Sequence, residues 1–298
     1  MPSLKAIRKR ITSVKNTQKI TRAMKLVAAA RLRRAQEAIT AARPYSLTLA
    51  QVISDLAEHA GRDSHPLLAE RENTRTTIIT LSSDRGLAGS FNAQVNRQLE
   101  VLLAEHKNAD SLNLRIVGRK NNDYVKRRYP DLIESFHNAP TSADALDFSK
   151  NLSNIVMSDF LEDKTDRVLL VFNEFQSAMT QFIRTVQLLP VVPQKPTEAE
   201  LEGQEATGQD RVGDFVFEPS KESLLEHLVP LYVQNGLYRA SLESVASELG
   251  SRMSAMDSAT KNAGDMIDRL SLDYNRARQA AITKELLEII SGAEALQG

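Results

Sequence analysis

One glycine-containing turn in this chain lies where an α/β fold places a phosphate-binding turn. Residues 84–90, Asp-Arg-Gly-Leu-Ala-Gly-Ser, follow a β-branched segment that predicts a strand and precede a segment that predicts a helix. The N-terminus of a helix after a strand presents backbone N–H groups to an anion. The turn has neither of the glycine-rich patterns that are typical of nucleotide-binding loops. A tight turn with a helix cap is therefore the favoured interpretation, and a phosphate site is the alternative.

The residue types that bind metals or act as nucleophiles form no pattern of an active site. The chain has no cysteine, which excludes disulfides, thiol nucleophiles and cysteine metal sites. Its five histidines lack the spacing of metal ligands, and we expect surface or loop positions for His59, His65, His106, His137 and His227. No Ser/His/Asp arrangement is indicated by spacing. We expect no catalytic residue, no cofactor-binding residue and no metal site.

Positive charge is concentrated at the start of the chain although the formal net charge is zero. Residues 1–43 contain twelve Lys or Arg residues and one acid, Glu37. Because acids are so scarce, pairing within the helix cannot be the purpose of this charge. The cluster of Arg31, Arg33 and Arg34, with further basic residues upstream, predicts an acidic binding partner. Nucleic acid, an anionic membrane and an acidic protein surface are all compatible with it.

The first sixty residues predict one long helix with a coiled-coil seam. Ser3 is expected to cap this helix, Pro44 to bend it, and His59 to lie at its end. Four polar residues interrupt the seam, namely Gln18, Thr21, Lys25 and Ser46. The other seam residues are apolar or small: Leu4, Ile7, Ile11, Val14, Ala28, Leu32, Ala35, Ile39, Ala42, Leu49, Ile53, Leu56 and Ala60.

The end of the chain predicts a second, longer helix, which begins after Ser220 and ends at Ser291-Gly292. We expect the two helices to pair antiparallel, with the far tip of the second helix unpaired. Four residues interrupt the second seam: Asn235, Arg252, Asp273 and Lys284. The rest of it is Leu224, Leu228, Leu231, Tyr238, Leu242, Val245, Leu249, Met256, Ala259, Ala263, Met266, Leu270, Ala277, Ala280 and Leu287.

Between these helices the chain alternates strand and helix patterns, which indicates an α/β sheet with crossover connections. Strands are predicted at 76–82, 112–118, 132–136, 167–175 and 182–189, the last two as a hairpin. Helices are predicted at 92–107, 121–128 and 143–162. The predicted organisation is an N-terminal helix (1–61), an α/β domain (74–190), an acidic loop with a short strand (191–219) and a C-terminal helix (220–298).

Nothing in the sequence predicts a segment that crosses a membrane or a secretory signal. The basic, amphipathic start also matches a mitochondrial transit peptide. The seam that runs through it favours a permanent helix instead.

Three segments resemble the signatures of one family, the gamma subunit of F-type ATP synthase. They are VKNTQKITRAMKLVAA at residues 14–29, SDRGLAG at 83–89 and YNRARQAAITKEL at 274–286. They occur in the order of the family and the resemblance covers essentially the whole chain. It departs after Leu87, where bacterial relatives often have cysteine and this chain has Ala88. The absence of an extension before the first segment favours a bacterial protein.

The resemblance implies a fold, a function and a set of partners. The fold is a long antiparallel coiled coil of the N- and C-terminal helices with an inserted Rossmann-like α/β domain. The function is that of a central rotor shaft, which couples proton-driven rotation of a membrane ring to ATP synthesis or hydrolysis at the beta subunits. The implied partners are the alpha and beta subunits, the epsilon subunit and the c-ring. Neither nucleic acid nor a small-molecule substrate is implied, nor is a cofactor, and the location is the cytoplasmic side of the plasma membrane.

The resemblance also assigns residues to partner contacts. It places Met24, Arg31, Arg33, Arg34, Arg252, Gln279 and Thr283 against the beta subunit. It places the region around Asp214, Phe215, Phe217 and Glu218 at a foot near the c-ring and epsilon. Two alternatives rest on the residues alone: a basic coiled coil that binds nucleic acid, and a nucleotide-binding α/β enzyme.

Overall fold

A computed structural model describes residues 3–60, 64–71, 74–107, 109–193 and 220–297, without the side chains at 59, 60, 221 and 293–297. The chain divides into two compact units. Unit 1 consists of Met1–Ala28 and Arg252–Gly298, and unit 2 consists of Ala29–Ser251. The predicted residues of the foot, Asp214, Phe215, Phe217 and Glu218, lie outside the described part of the chain.

Ten main elements follow one another along the described part of the chain. They are α1 (Leu4–Ala60), β1 (Arg75–Leu81), α2 (Phe91–Glu105), β2 (Ser111–Val117), α3 (Arg119–Val125), β3 (Ile133–His137), α4 (Ala145–Leu161), β4 (Arg167–Phe175), β5 (Gln181–Leu189) and α5 (Lys221–Gln297). A short 3-10 turn, Pro130–Leu132, precedes β3. Each strand and helix predicted between residues 74 and 190 is confirmed, with the ends displaced by at most a few residues. The short strand predicted within 191–219 lies outside the described residues.

The starts of both long helices carry the predicted caps. The Ala6 N–H donates to Ser3 Oγ at 3.3 Å, and the Ser223 N–H donates to Ser220 Oγ at 3.2 Å. α1 continues through Pro44. The predicted end of the second helix is wrong, because α5 continues past Gly292 to Gln297. A single glycine lowers helix stability by only about 1 kcal/mol and does not force a helix to end.

The sheet of unit 2 has the strand order β3-β2-β1-β4-β5. The first four strands are parallel, and β5 pairs with β4 antiparallel as the predicted hairpin. Both sheet faces are covered, which is why the central strands read as continuous apolar runs. α2 and α3 pack on one face through Leu99, Leu102 and Val125. α4 packs on the other face through Leu152, Val156 and Phe160.

The long helices also pack against this second face of the sheet, within unit 2. α1 contributes Leu49, Ile53 and Leu56 to the core there. α5 contributes a fully buried stripe, which consists of Leu225, Val229, Val233, Leu237 and Ala240.

The predicted seam of α5 therefore misses the most buried face of the first turns of the helix in unit 2. Leu224 and Leu228 lie one residue before that face, and Leu231 is 40% exposed. A period of 3.5 residues assumes one partner helix, whereas α5 packs here against a sheet as well. Further along the helix the seam prediction holds, because Leu242 and Leu249 are buried. In α1 the seam prediction holds, because every predicted position from 4 to 56 is buried or half-buried.

In unit 1 the two ends of the chain form an antiparallel helix pair. Lys25 of α1 contacts Asp257 of α5, and Thr21, one turn earlier, contacts Thr260 further along α5. Ile7, Ala28, Met256 and Ala263 are its buried apolar residues. Met266 and Leu287, which were predicted in the seam, are more than half exposed. Side chains at 282–292 are all exposed, so the expected unpaired tip of the second helix is confirmed.

Candidate partner-binding surfaces

The turn at residues 84–90 has a structural role that its sequence did not show. The Asp84 Oδ1 atom accepts hydrogen bonds from the Arg119 N–H at 3.0 Å and from the Ala139 N–H at 3.2 Å. The side chain thus joins the loops that follow β1, β2 and β3. Asn92 adds a further bond, because its Oδ1 accepts the Ser83 N–H at 3.1 Å. Ser90 occupies the cap position of α2 but makes no cap bond with its side chain.

This geometry favours the tight turn over the phosphate site. The first backbone N–H of α3 points at the Asp84 carboxylate, which already supplies the negative charge that a phosphate would bring. Gly118, just before α3, has φ of 97°, and a Cβ atom there would lie 2.4 Å from Ser82 Oγ. The loops are packed against one another too closely to form a phosphate cradle.

The histidines are only partly where the sequence predicted them. His227 is exposed on α5, and His65 lies in a loop but is buried, where desolvation lowers its pKa. The prediction is wrong for His137, which ends β3 and packs edge-on against Phe148 at 6.1 Å between ring centres. Across the described residues, no group of three or more His, Asp or Glu side chains could hold a metal ion.

The arginine cluster of α1 lies in unit 2 and faces outward. Arg31, Arg33 and Arg34 are exposed, and Arg33 pairs with Glu37 one turn away at 3.1 Å. The expectation that pairing within the helix plays no part is therefore wrong for Arg33. Within the described ranges, no acidic side chain pairs with Arg31 or Arg34. These two guanidinium groups are available to a partner.

The remaining residues predicted to contact beta lie in unit 1. Met24 and Arg252 are half-buried, whereas Gln279 and Thr283 are exposed on α5. Lys19 and Arg22, on α1 of the same unit, are exposed and have no acidic partner among the residues that the structure describes. Lys25 differs from them, because its Nζ atom lies 2.6 Å from Asp257 Oδ1.

Exposed apolar side chains mark a surface that the seam analysis missed. Three of them lie on α1, namely Ile20, Leu26 and Val27, and each is more than half exposed. Others lie on α5 at Leu272, Ile282, Leu286, Ile289 and Ile290. All are in unit 1. Large apolar side chains outside the predicted seam were the signal for this surface, and in such number they indicate a face that a partner covers.

None of the helices in the described ranges is long and apolar enough to cross a membrane.

Comparison with known proteins assigns the chain. A family model described as ATP synthase matches residues 3–296. The ATP synthase gamma chain of Geobacter sp. (strain M21) is 44% identical, and that of Anaeromyxobacter dehalogenans is 45% identical, each over 100% of both chains.

Two solved structures have a similar fold. A chain of the Tetrahymena thermophila mitochondrial ATP synthase central stalk and c-ring is 25% identical, with a TM-score of 0.58 over 80% of this chain and 99% of that one. A chain of the Euglena gracilis mitochondrial ATP synthase is 18% identical, with a TM-score of 0.63 over 98% of this chain and 94% of that one. By its full-length similarity to the bacterial proteins, the chain belongs to the ATP synthase gamma chain family.

Proposed function

We propose that this chain is the central rotor shaft of a bacterial F-type ATP synthase. It couples the proton-driven rotation of a membrane ring to ATP synthesis and hydrolysis at the beta subunits. The observation that carries the proposal is the full-length similarity to gamma chains of bacterial ATP synthases. The similarity to a mitochondrial central stalk supports it independently.

The helix pair of unit 1 is suited to work inside an enclosing partner. Its seam contains many small residues, which bury little apolar area. Because buried apolar area contributes about 25 cal/mol per Å², the seam contributes little free energy to the pairing of the helices. Its outer surface, by contrast, carries large apolar side chains such as Ile20, Leu26 and Ile289. A surface of this kind gains stability when the alpha and beta subunits surround it. The different side chains around the pair would present a different face to each beta subunit as it turns.

The basic residues of α1 fit an acidic segment of beta. Arg31 and Arg34 are exposed and are not neutralised by acids in the described part of unit 2. Exposed ion pairs contribute only about 0–1 kcal/mol each, so contacts to them can form and break as the shaft turns. We assign Met24, Arg31, Arg33, Arg34, Arg252, Gln279 and Thr283 to contacts with beta. Asp214, Phe215, Phe217 and Glu218 are assigned to the foot near epsilon and the c-ring.

The chain is a non-catalytic subunit of the complex in this proposal. Nucleotide chemistry takes place at the beta subunits, and the α/β unit supports the shaft. The bonds of Asp84 to the Arg119 and Ala139 N–H groups support this assignment, since a carboxylate lies where a nucleotide phosphate would bind. We assign the chain, as a peripheral subunit of this complex, to the cytoplasmic side of the plasma membrane.

The test compares alpha and beta subunits assembled with and without this chain. ATP hydrolysis is measured as a function of ATP concentration. We expect cooperative turnover only when the chain is present, because the shaft makes the three beta sites unequal. Undiminished cooperative turnover in its absence would contradict the proposal.

Two binding measurements separate the alternatives. Calorimetric titration of the isolated chain with ATP should give no binding, whereas a nucleotide-binding α/β enzyme would bind. Filter binding of DNA at two salt concentrations should give no affinity at the higher one. A basic nucleic-acid-binding coiled coil would instead retain measurable binding that falls steeply with salt.

A further inference from the structure

Three successive seam positions of α1 carry polar side chains. They are Gln18, Thr21 and Lys25, and they lie between the apolar seam residues Val14 and Ala28. All three are buried or half-buried within unit 1. A coiled coil normally places apolar side chains at such positions. The polar run therefore needs partners on α5 to avoid weakening the pair.

Residues of α5 satisfy this polar run directly. Lys25 Nζ lies 2.6 Å from Asp257 Oδ1, and Gln18 Nε2 donates to the Thr260 carbonyl at 3.4 Å. The hydroxyl oxygens of Thr21 and Thr260 lie 2.8 Å apart. At Gly264 a Cβ atom would lie 3.3 Å from Gln18 Nε2, so the absence of a side chain makes room for the glutamine.

The two threonines have a preferred bond direction. Each hydroxyl has one proton, and Thr260 Oγ1 donates to the Met256 carbonyl at 2.7 Å. Thr21 must then donate in the threonine pair, in preference to its longer contact of 3.1 Å with the Gln18 carbonyl. The result is a directed chain from Thr21 to Thr260 to the backbone of α5. Apolar contacts are not directional. Hydrogen bonds of this kind, by contrast, fix both the position of α1 along α5 and its rotation about its own axis.

We propose that Gln18, Thr21 and Lys25 of α1, with Asp257 and Thr260 of α5, form a polar clasp that positions Met24 on the rotor by fixing α1 against α5. Met24 lies between two residues of the clasp, Thr21 and Lys25, and is half-buried. Lys25 serves this internal contact and is not one of the cations offered to an acidic partner. The inference rests on the proposed function, since positioning matters only if Met24 meets another subunit.

Displacement of one helix by a heptad would break both side-chain pairs of the clasp. Thr21 would then lie near Met253 or Ile267, and Lys25 near Gly250 or Gly264, and none of these residues has a polar side chain. A seam of alanines tolerates such a displacement more readily, because one small residue replaces another. The clasp thus supplies specificity at a point where the apolar contacts supply little.

A charge-swap experiment in the assembled complex tests the clasp. The variants are Lys25→Glu, Asp257→Lys and the double variant, and the measurement is ATP-driven proton uptake per ATP hydrolysed in inverted membrane vesicles. Each single variant should lower this ratio by about two- to fivefold and not abolish it, because both side chains of the pair are partly exposed and such pairs are individually weak. The double variant should recover most of the loss, since the pair is restored with its charges exchanged.

Arg22→Glu is the matched control, because Arg22 is exposed on the same helix and has no acidic partner in the described ranges. Asp257→Lys should not rescue it. A double swap that stays as poor as Lys25→Glu would assign Lys25 to an external acidic partner and overturn the proposal. An unchanged ratio in both single variants would also overturn it.

A cross-linking measurement tests the contact without reference to function. The chain has no cysteine, so the pair Thr21→Cys and Thr260→Cys, which replaces two hydroxyl oxygens 2.8 Å apart, reports on this contact alone. Mild oxidation of the full-length chain should cross-link this pair at least fivefold faster than a Thr21→Cys, Ile267→Cys pair, which is displaced by one heptad. Equal rates would overturn the clasp. Fast cross-linking of the first pair together with a failed swap would overturn the positioning role alone and leave the rotor function standing.

Discussion

Helices α1 and α5 both contribute to unit 1 and to unit 2, and they pack differently in the two units. In unit 2 their packing stabilises the chain, whereas in unit 1 their surface is suited to binding partners. In unit 2 they pack on a sheet, and large residues such as Ile53, Leu56 and Leu237 are fully buried. In unit 1 the same helices pair through small and polar residues, while large apolar side chains such as Leu26 and Ile289 face outward. Unit 2 thus provides its own core. Unit 1 leaves its apolar surface for partners to cover.

The largest expected effect comes from truncating a buried leucine of α5, and an exposed leucine of the same helix is the comparison. Leu237→Ala should lower the free energy of unfolding by about 2–5 kcal/mol, because it leaves a cavity in the core of unit 2. Leu286→Ala, in unit 1, should lower it by less than about 0.5 kcal/mol, since the side chain is more than half exposed. Urea unfolding of the full chain measures both. Similar losses in the two variants would remove the contrast between the units.

Glycine-to-alanine substitutions should have opposite effects in the two units. Gly118→Ala is expected to lower the free energy of unfolding by about 1–3 kcal/mol or more. The reason is that φ is 97° and the new Cβ atom would clash with Ser82. Gly292→Ala should instead stabilise α5 by up to about 1 kcal/mol, because no described atom lies within 4 Å of the new Cβ atom. Thermal unfolding followed by circular dichroism compares them. A stable Gly118→Ala variant would contradict the close packing of these loops.

Met24→Lys should affect coupling rather than folding. It places a charge at a half-buried position of unit 1 that we assign to the beta contact. Proton uptake per ATP hydrolysed should fall several-fold, while the rate of ATP hydrolysis falls less, because an added cation changes the attraction between rotor and stator. Met24→Leu, which keeps size and apolarity, is the control. Equal loss of pumping and hydrolysis would count against this role for Met24.

The smallest expected effect is present at neutral pH and is lost in acid. In unit 2, the side chain of Arg75 bonds to Asp166 and lowers the pKa of that carboxyl to about 2. A pKa lowered on folding stabilises the protein above the unfolded value of about 4, and this contribution is lost as the pH falls towards 2. Asp166→Asn should therefore be less stable than the parent at pH 7, with a gap that narrows below pH 4. A gap that stays constant down to pH 2 would show that the charge of Asp166 is not the cause.

A second ionic contact in unit 2 illustrates what the sequence could not predict. Arg115 of β2 is nearly buried, and its guanidinium group contacts both Glu134 of β3 and Asp159 of α4. The residues lie far apart along the chain and read as ordinary surface charges. Their association joins α4 to the sheet, and it depends on the parallel arrangement of β2 and β3.

The prediction from sequence was accurate where a local pattern suffices and failed where one helix meets two partners. Every predicted seam position of α1 from 4 to 56 is buried or half-buried. The prediction succeeded because the apolar residues of α1 recur with a single period and lie on one face of the helix. The same reasoning misplaced the first turns of α5 in unit 2, where the buried stripe through Val229 and Val233 packs on the sheet, although it identified Leu242 correctly as buried. It also ended α5 at Gly292, since it gave too much weight to one glycine.

The sequence by itself determined the helices, the strands, their order and the family, because hydrophobic periodicity, caps and motifs are properties of neighbouring residues. Only the tertiary structure decided that Asp84 joins three loops, that Lys25 is paired with Asp257, and that Arg31 and Arg34 are free in the described part of unit 2. Such assignments depend on distances between residues that are remote in the chain. A charged side chain can be solvated, bonded to another part of the chain or in contact with a partner subunit. Which of these applies depends on the groups that lie within a few ångströms of it.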